Sequence, residues 1–194
     1  MLMNDRWIKA KAEKGMIQPF LPELVRQTED EWKVISYGLS SYGYDIRLSP
    51  REFKVFQRLP GVVVDPKDFN PEVLASAKLH KDSNGEYFVL PANSYGLGVA
   101  LERIEMPRNT AALAIGKSTY ARVGVIANLT PAEPGWKGHL TLELSNSSAS
   151  DVRIYAGEGI CQLLFFTGED PITSYGDRDG KYQDQGHKVV PAKV

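Results

Sequence analysis

Between Gly116 and Glu143 the chain reads GKSTYARVGVIANLTPAEPGWKGHLTLE, and its residue types suit one kind of chemistry, the handling of an oxyanion next to a carboxylate. Gly116 frees the backbone, Lys117 supplies a point charge, and Ser118 and Thr119 supply hydroxyls. Arg122 adds a planar, permanently charged fork that can hold a carboxylate or a phosphate. The Gly-Lys-Ser-Thr run is not a phosphate-binding P-loop, because that motif places a second Gly where this chain has Ala111. After a Pro-Ala-Glu-Pro-Gly-Trp turn, His139 to Ser145 alternates polar and apolar residues with period 2, the pattern of a half-buried strand. Leu140, Leu142 and Leu144 then share one face, while His139, Thr141, Glu143 and Ser145 share the other, which leaves Glu143 free of the apolar core.

Two further features carry polar chemistry. Gln162 interrupts the apolar run from Ile160 to Phe166, and a buried amide without partners loses roughly 1–3 kcal/mol. It either satisfies its neighbours or reads a pyrimidine edge with its paired donor and acceptor. Beyond Gly168 the tail is polar and punctuated by glycine, which by composition is a flexible end. A tail that orders over a triphosphate has the same composition, with Tyr175, Lys181 and Gln185 as donors.

Composition narrows the function classes. With 23 basic and 24 acidic residues the net charge is −1, which argues against a nucleic-acid surface set by bulk charge but leaves room for a local basic pocket. Cys161 is the only cysteine, so an internal disulfide and a multi-thiolate zinc site are both ruled out. The N-terminus has no apolar run of signal-peptide length, and no segment reaches the roughly 20 apolar residues of a membrane span. The expected location is the cytoplasm, with no membrane partner.

The elements that must position these residues read as mainly β. Asn4 or Asp5 caps a short helix carrying Trp7, Ile8 and Ala12, with Gly15 as its stop. Pro19 and Pro22 mark an extended connector, and Trp32 to Ile35 a first strand. Tyrosines alternate with small residues up to Asp45, Ile46 and Arg47. Phe53 to Phe56 and Val62 to Val64 read as apolar strand segments, the latter ending at the Asp65-Pro66 turn. Asn70-Pro71-Glu72 has the pattern of a second short helix, with Leu74, Ala77 and Leu79 facing the core. From Glu86 onward short strands follow one another between Pro, Asn and Gly turns. The expectation is one domain over residues 1–194, a distorted jelly-roll or β-barrel with two or so short helices.

Five blocks, in order, resemble the dCTP deaminases of the trimeric dUTPase-like superfamily. They are Ser41 to Arg47, Gly116 to Arg122, Pro134 to His139 leading to Glu143, Gly159 to Gln162, and Gly180 to Gln183. The resemblance implies hydrolytic deamination of dCTP to dUTP and ammonia, a step toward dUMP and dTTP precursors. Glu143 would be the catalytic glutamate, shuttling protons for an attacking water. Ser118 would hold the water or base, Arg122 would orient Glu143, and the backbone near Thr130-Pro131 would offer the water a carbonyl. Lys117, Thr119, Tyr175, Lys181 and Gln185 would hold the triphosphate with Mg²⁺ bridging its oxygens. Gln162 would sit at the base or sugar, and Tyr120, Ala121, Thr141 and Leu142 complete the implied substrate-binding set. No metal ligand is implied among the side chains, and the zinc-deaminase signature of His-x-Glu with Pro-Cys-x-x-Cys is missing.

The same resemblance implies a homotrimer with sites between subunits, and a tail from about residue 169 that covers the site. One departure bears on the reaction. The hairpin Thr130-Pro131-Ala132-Glu133-Pro134-Gly135 is shorter than the superfamily's Gly-x-Ile-Asp-Pro-Gly type and carries Glu133 where an Asp often stands. That favours a deaminase over an enzyme that also releases pyrophosphate. The alternatives are a bifunctional enzyme making dUMP from dCTP and a silent nucleotide-binding trimer.

Overall fold

A computed structural model of the chain describes residues 1–28, 32–128 and 131–194. Helix α1 (Asp5–Ala12) forms as the capping pattern predicts. The Asn4 side chain accepts from Trp7 N at 3.2 Å, Ile8 and Ala12 are buried, and the chain leaves the helix through Gly15 at φ +95°. The first strands are β1 (Ile17–Gln18), β2 (Leu24–Gln27), β3 (Lys33–Ser40), β4 (Gly43–Phe56), β5 (Leu74–Ser76), β6 (His80–Asp82) and β7 (Gly85–Leu90). Then come β8 (Tyr95–Glu105), β9 (Thr110–Gly116), the short helix α2 (Ser118–Ala121), β10 (Val125–Asn128), β11 (Lys137–Asn146), β12 (Val152–Tyr155) and β13 (Gly159–Thr167).

Among the described residues the main sheet runs β10-β11-β8-β4-β13-β9, with β1 added on β8, and β3 and β5 on β4. A smaller sheet, β12-β7-β6, packs beside it. The long β4 pairs with β13 through Tyr44 to Arg47 and with β8 through Leu48 to Val55, and the irregularity between Leu48 and Phe53 lets one strand serve both directions. The main sheet curls until its end strands meet. A methyl group at Gly116 on β9 would lie 3.6 Å from the backbone nitrogen of Ala127 on β10. This is the mainly β, barrel-like architecture that the strand spacing predicts. The interior holds Tyr44, Ile46, Leu48, Phe53, Leu142 and Phe165, all essentially inaccessible, with Phe53 stacked on Phe88 at 5.3 Å.

Two local expectations are corrected. Asn70-Pro71-Glu72 opens only one 3₁₀ turn, Pro71–Val73, with the Asn70 side chain accepting from Glu72 N at 2.9 Å. Leu74 then enters β5 opposite Phe56, because an open edge of β4 offers ladder partners that a single turn cannot match. Val62 to Val64 form no strand and stand exposed, since apolar residues without a neighbouring edge have nothing to pair with.

Candidate active site

Strand β11 alternates as its sequence predicts, with Leu140, Leu142 and Leu144 buried and Thr141, Glu143 and Ser145 on the opposite face. Glu143 lies between Leu97 of β8 and Asn128 of β10 in the ladder. It is half-buried in the wall of a cavity of about 530 Å³. Burial raises its carboxyl above the usual carboxylate range. Tyr95, diagonal to Glu143 across the β8–β11 pair, lines the same cavity, and burial and then the charge of Glu143 raise its phenol. Phe56 packs edge-on against Tyr95 at 5.4 Å and adds apolar wall.

The tail forms the other side of this cavity. Tyr175, Lys181 and Gln185 all line it, together with Thr141. The composition suggests a flexible end, yet the tail is fastened along Pro134 to His139. Tyr175 N donates to Pro134 O at 2.9 Å, Trp136 Nε1 to Tyr182 O at 2.7 Å, and Gln183 Nε2 to Gly135 O at 3.0 Å. Glu133 also lines the cavity, and its carboxylate pairs with Arg178 of the tail, whose guanidinium lies 5.4 Å from the Tyr175 ring centre. The resemblance implies a carbonyl for the water from the backbone near Thr130-Pro131; Pro131 is part of the lining, while Thr130 lies outside the described residues.

The Gly116 to Arg122 segment is held elsewhere. Ser118, Thr119, Ala121 and Arg122 are exposed at the β9–β10 seam, and none of them lines the Glu143 cavity. Arg122 Nη1 donates to the Ser118 carbonyl at 3.1 Å, so its fork folds back over its own helix rather than reaching Glu143. Register explains the separation. Val125 pairs with Asn146 and Asn128 with Glu143, so the helix end of β10 is about 10 Å along the strand from Glu143. Thr119 lines a second cavity, of about 680 Å³, with Arg26, Lys33 and Glu158.

Four residues of the sequence-predicted set serve the fold within this chain. Tyr120 is buried, and its hydroxyl accepts from Tyr155 N at 2.9 Å. Leu142 projects into the core. Lys117 Nζ contacts Asp45 Oδ2 and Ser36 Oγ, and Gln162 Nε2 donates to Asp45 Oδ1 and Ser40 Oγ, both at 3.0 Å. Sequence reasoning missed Tyr95 and Trp136 as cavity residues. Tyr95 had a usable signal, since it begins a strand whose alternate residues share a face, but its pairing with β11 is invisible without the sheet order.

The model of the dCTP deaminase-like family matches residues 2–168. A protein described as dCTP deaminase in Alcanivorax borkumensis is 48% identical over 192 residues, 98% of each chain. Another in Acidovorax sp. is also 48% identical, and one in Acinetobacter baumannii is 46% identical, each over the same span. The solved 2'-deoxycytidine 5'-triphosphate deaminase of Agrobacterium tumefaciens superposes with a TM-score of 0.59 at 15% identity over 89% of this chain. This chain spans about half the length of that structure, at 49%, and the likeness is one of fold. With a family match over most of its length and relatives nearly half identical across 98% of it, the chain belongs to the dCTP deaminase-like family.

Proposed function

We propose that this chain is a dCTP deaminase that converts dCTP and water to dUTP and ammonia, feeding dUMP and dTTP precursor synthesis in the cytoplasm. The observation that carries the reading is Glu143, a half-buried carboxylate in a cavity shared with the tail donors Tyr175, Lys181 and Gln185. Relatives with the same description at 46–48% identity support the substrate.

The chemistry follows from the position of Glu143. Its carboxylate takes a proton from a water as the oxygen adds to C4 of cytosine, and that proton goes to ring N3. The hydroxyl proton of the tetrahedral adduct then passes through the same carboxyl to the exocyclic amine. The C–N bond breaks to leave a C4 carbonyl and ammonia. A carboxyl raised by burial lies closer to the pH at which it must both accept and return a proton. In this reading Glu143 activates the water without zinc, and the chain's one cysteine, Cys161, is buried in the core. Lys181, Tyr175 and Gln185 would meet the triphosphate, and Mg²⁺ would enter with it, held chiefly by phosphate oxygens and water.

The reading also needs more than one copy of the chain. Ser118 and Arg122 stand exposed beside Leu113, Ile115, Val123 and Ile126, each 43–51% accessible, which is a large apolar surface for a monomer to leave in water. A homotrimer would cover this face and bring Ser118 and Arg122 of one copy to Glu143 of the next. Thr119 and Ala121 would then border the triphosphate, and the tail would cover the site.

Glu133 favours deamination alone. Cleavage of the α–β phosphoanhydride needs a second water held in line with the α-phosphorus, and the Glu133 carboxylate is already paired with Arg178. Incubation with Mg²⁺ and either dCTP or dUTP should yield ammonia and dUTP from dCTP, with little pyrophosphate from either. Equal ammonia and pyrophosphate from dCTP would establish a bifunctional enzyme, and nucleotide binding with no product would favour a catalytically silent nucleotide-binding protein.

A further inference from the structure

Arg108 stands in the link between β8 and β9, outside the cavity that holds Glu143, and no step of the deamination touches it. The link is rigid. Met106 N donates to Trp136 O at 2.8 Å and Thr110 N to Pro107 O at 3.1 Å, and both Met106 and Thr110 are buried. Arg108 is therefore presented from a fixed place on the body of the protein. The tail departs from the same place, where Gly168 N donates to Asn109 O at 3.0 Å.

Beyond Gly168 the tail has little of its own to hold it. Glu169, Asp170 and Ile172 are exposed, Ile172 entirely, and Ser174 is the first side chain to be buried again. The Arg108 guanidinium spans this gap. Nη1 donates to Asp177 Oδ2 at 2.5 Å and to Ser174 Oγ at 3.4 Å, while Nη2 reaches the carbonyls of Pro171 and Ile172 at 3.4 and 3.3 Å. The contact with Asp177 is the strong one, being short and between charged groups. The same Asp177 oxygen accepts from Ser174 N at 2.8 Å, so the carboxylate closes a turn around Tyr175 and the guanidinium fastens that turn to the β8–β9 link. Within the turn Tyr175 is aimed. Its backbone N donates to Pro134 O, and its hydroxyl oxygen accepts from Tyr182 N at 2.9 Å, which leaves the hydroxyl proton to donate into the cavity.

We propose that Arg108 is a positioning residue for substrate binding: through Asp177 it sets the turn that aims Tyr175 into the Glu143 cavity, and it acts on affinity for the nucleoside triphosphate rather than on the chemical step. The inference rests on the reading that this cavity takes dCTP. Arg108 and Asp177 are 46% and 42% accessible, so their attraction is screened by salt and its effect is several-fold rather than orders of magnitude.

The test is a double-mutant cycle of Arg108→Ala and Asp177→Asn, with kcat and KM for dCTP, dCTP affinity by calorimetry, and tryptic cleavage at Arg178 and Lys181. Asp177→Asn keeps an oxygen for Ser174 N and removes the charge that Arg108 grips. We expect each single variant to raise KM and weaken dCTP binding about three- to fivefold, to keep kcat within about twofold, and to be cleaved faster in the tail. The double variant should be no worse than the poorer single one, because both substitutions remove the same contact. The gap between parent and Arg108→Ala should narrow as salt is raised. The proposal is overturned if Arg108→Ala weakens dCTP binding less than threefold, if the loss falls on kcat with KM unchanged, or if the two effects multiply. Should Arg108→Ala fail to fold, Asp177→Asn decides alone by the same measures. A parent protein that releases no ammonia from dCTP would refute the deaminase reading, and the cleavage rates, which need no turnover, would still decide whether Arg108 holds the tail.

Discussion

Gly138 of β11 and Gln185 of the tail run side by side as a parallel bridge, with Gln185 O accepting from His139 N at 3.0 Å. A Cβ on Gly138 would lie 2.6 Å from Gln185 N, and Gly138 itself sits at φ +138°, where side chains are strained. Gly138→Ala should therefore release the tail without disturbing the buried sheet. We expect faster tryptic cleavage at Arg178 and Lys181 and a raised KM for dCTP, with far-ultraviolet dichroism unchanged. Unaltered proteolysis would show that the tail does not depend on this contact.

Glu143→Gln keeps the shape of the side chain but cannot carry a proton. Deamination should fall by about 10²–10⁴-fold, the typical worth of a general acid or base, while the protein stays folded and binds dCTP. Ammonia release close to that of the parent would remove Glu143 from the mechanism.

A site shared between copies makes a prediction that a single-chain site does not. Ser118→Ala and Glu143→Gln should each be nearly inactive alone. Unfolded together and refolded, they should regain up to about a quarter of parent activity, because random mixing pairs an intact Ser118 with an intact Glu143 at that frequency. No recovery from mixed oligomers would place both residues in one chain's site. Ile126→Asp should lower the sedimenting mass and the activity together.

His139 and His187 stack at 4.3 Å with planes 10° apart, joining β11 to the tail. Both imidazoles are held below their usual range, first by burial, and His187 also by His139 and Arg51. The released tail then binds more protons than the docked one. Docking should strengthen as pH rises through the imidazole range and weaken as it falls through the lowered values. Tail proteolysis measured from mildly acidic to neutral pH should slow as pH rises. His187→Gln should flatten that dependence, and a profile it leaves unchanged would assign the effect to other groups.

Much of the site could be read where short-range pattern decides structure. The alternation from His139 to Ser145 puts Glu143 on the polar face of β11, and Asn4 caps α1, because strand period and capping are local. Composition leaves the tail open between a flexible end and a cover, and the family resemblance alone implies the cover. Its docking rests on backbone pairing with Gly138 and on Trp136 reaching Tyr182 O, which composition does not encode. The engagement of Lys117 and Gln162 was hidden for another reason. Their common partner, Asp45, is 72 and 117 residues away in sequence, so free chemistry and satisfied structure look alike until the sheet is assembled. Val62 to Val64 show the converse, an apolar run that found no edge to join.

The curl that brings Gly116 against Ala127 also governs how a single copy of the chain behaves in water. The outer side of β9 is occupied in part by Ala132, which exchanges two backbone hydrogen bonds of 2.9 Å with Ala112, and β10 turns toward β9 at the seam. Long unpaired strand edges are the templates on which fibrils grow, and this arrangement shortens them at both ends of the main sheet. A single copy leaves Leu113, Ile115 and Ile126 wet and suited to association face to face, while giving runaway strand addition little to build on.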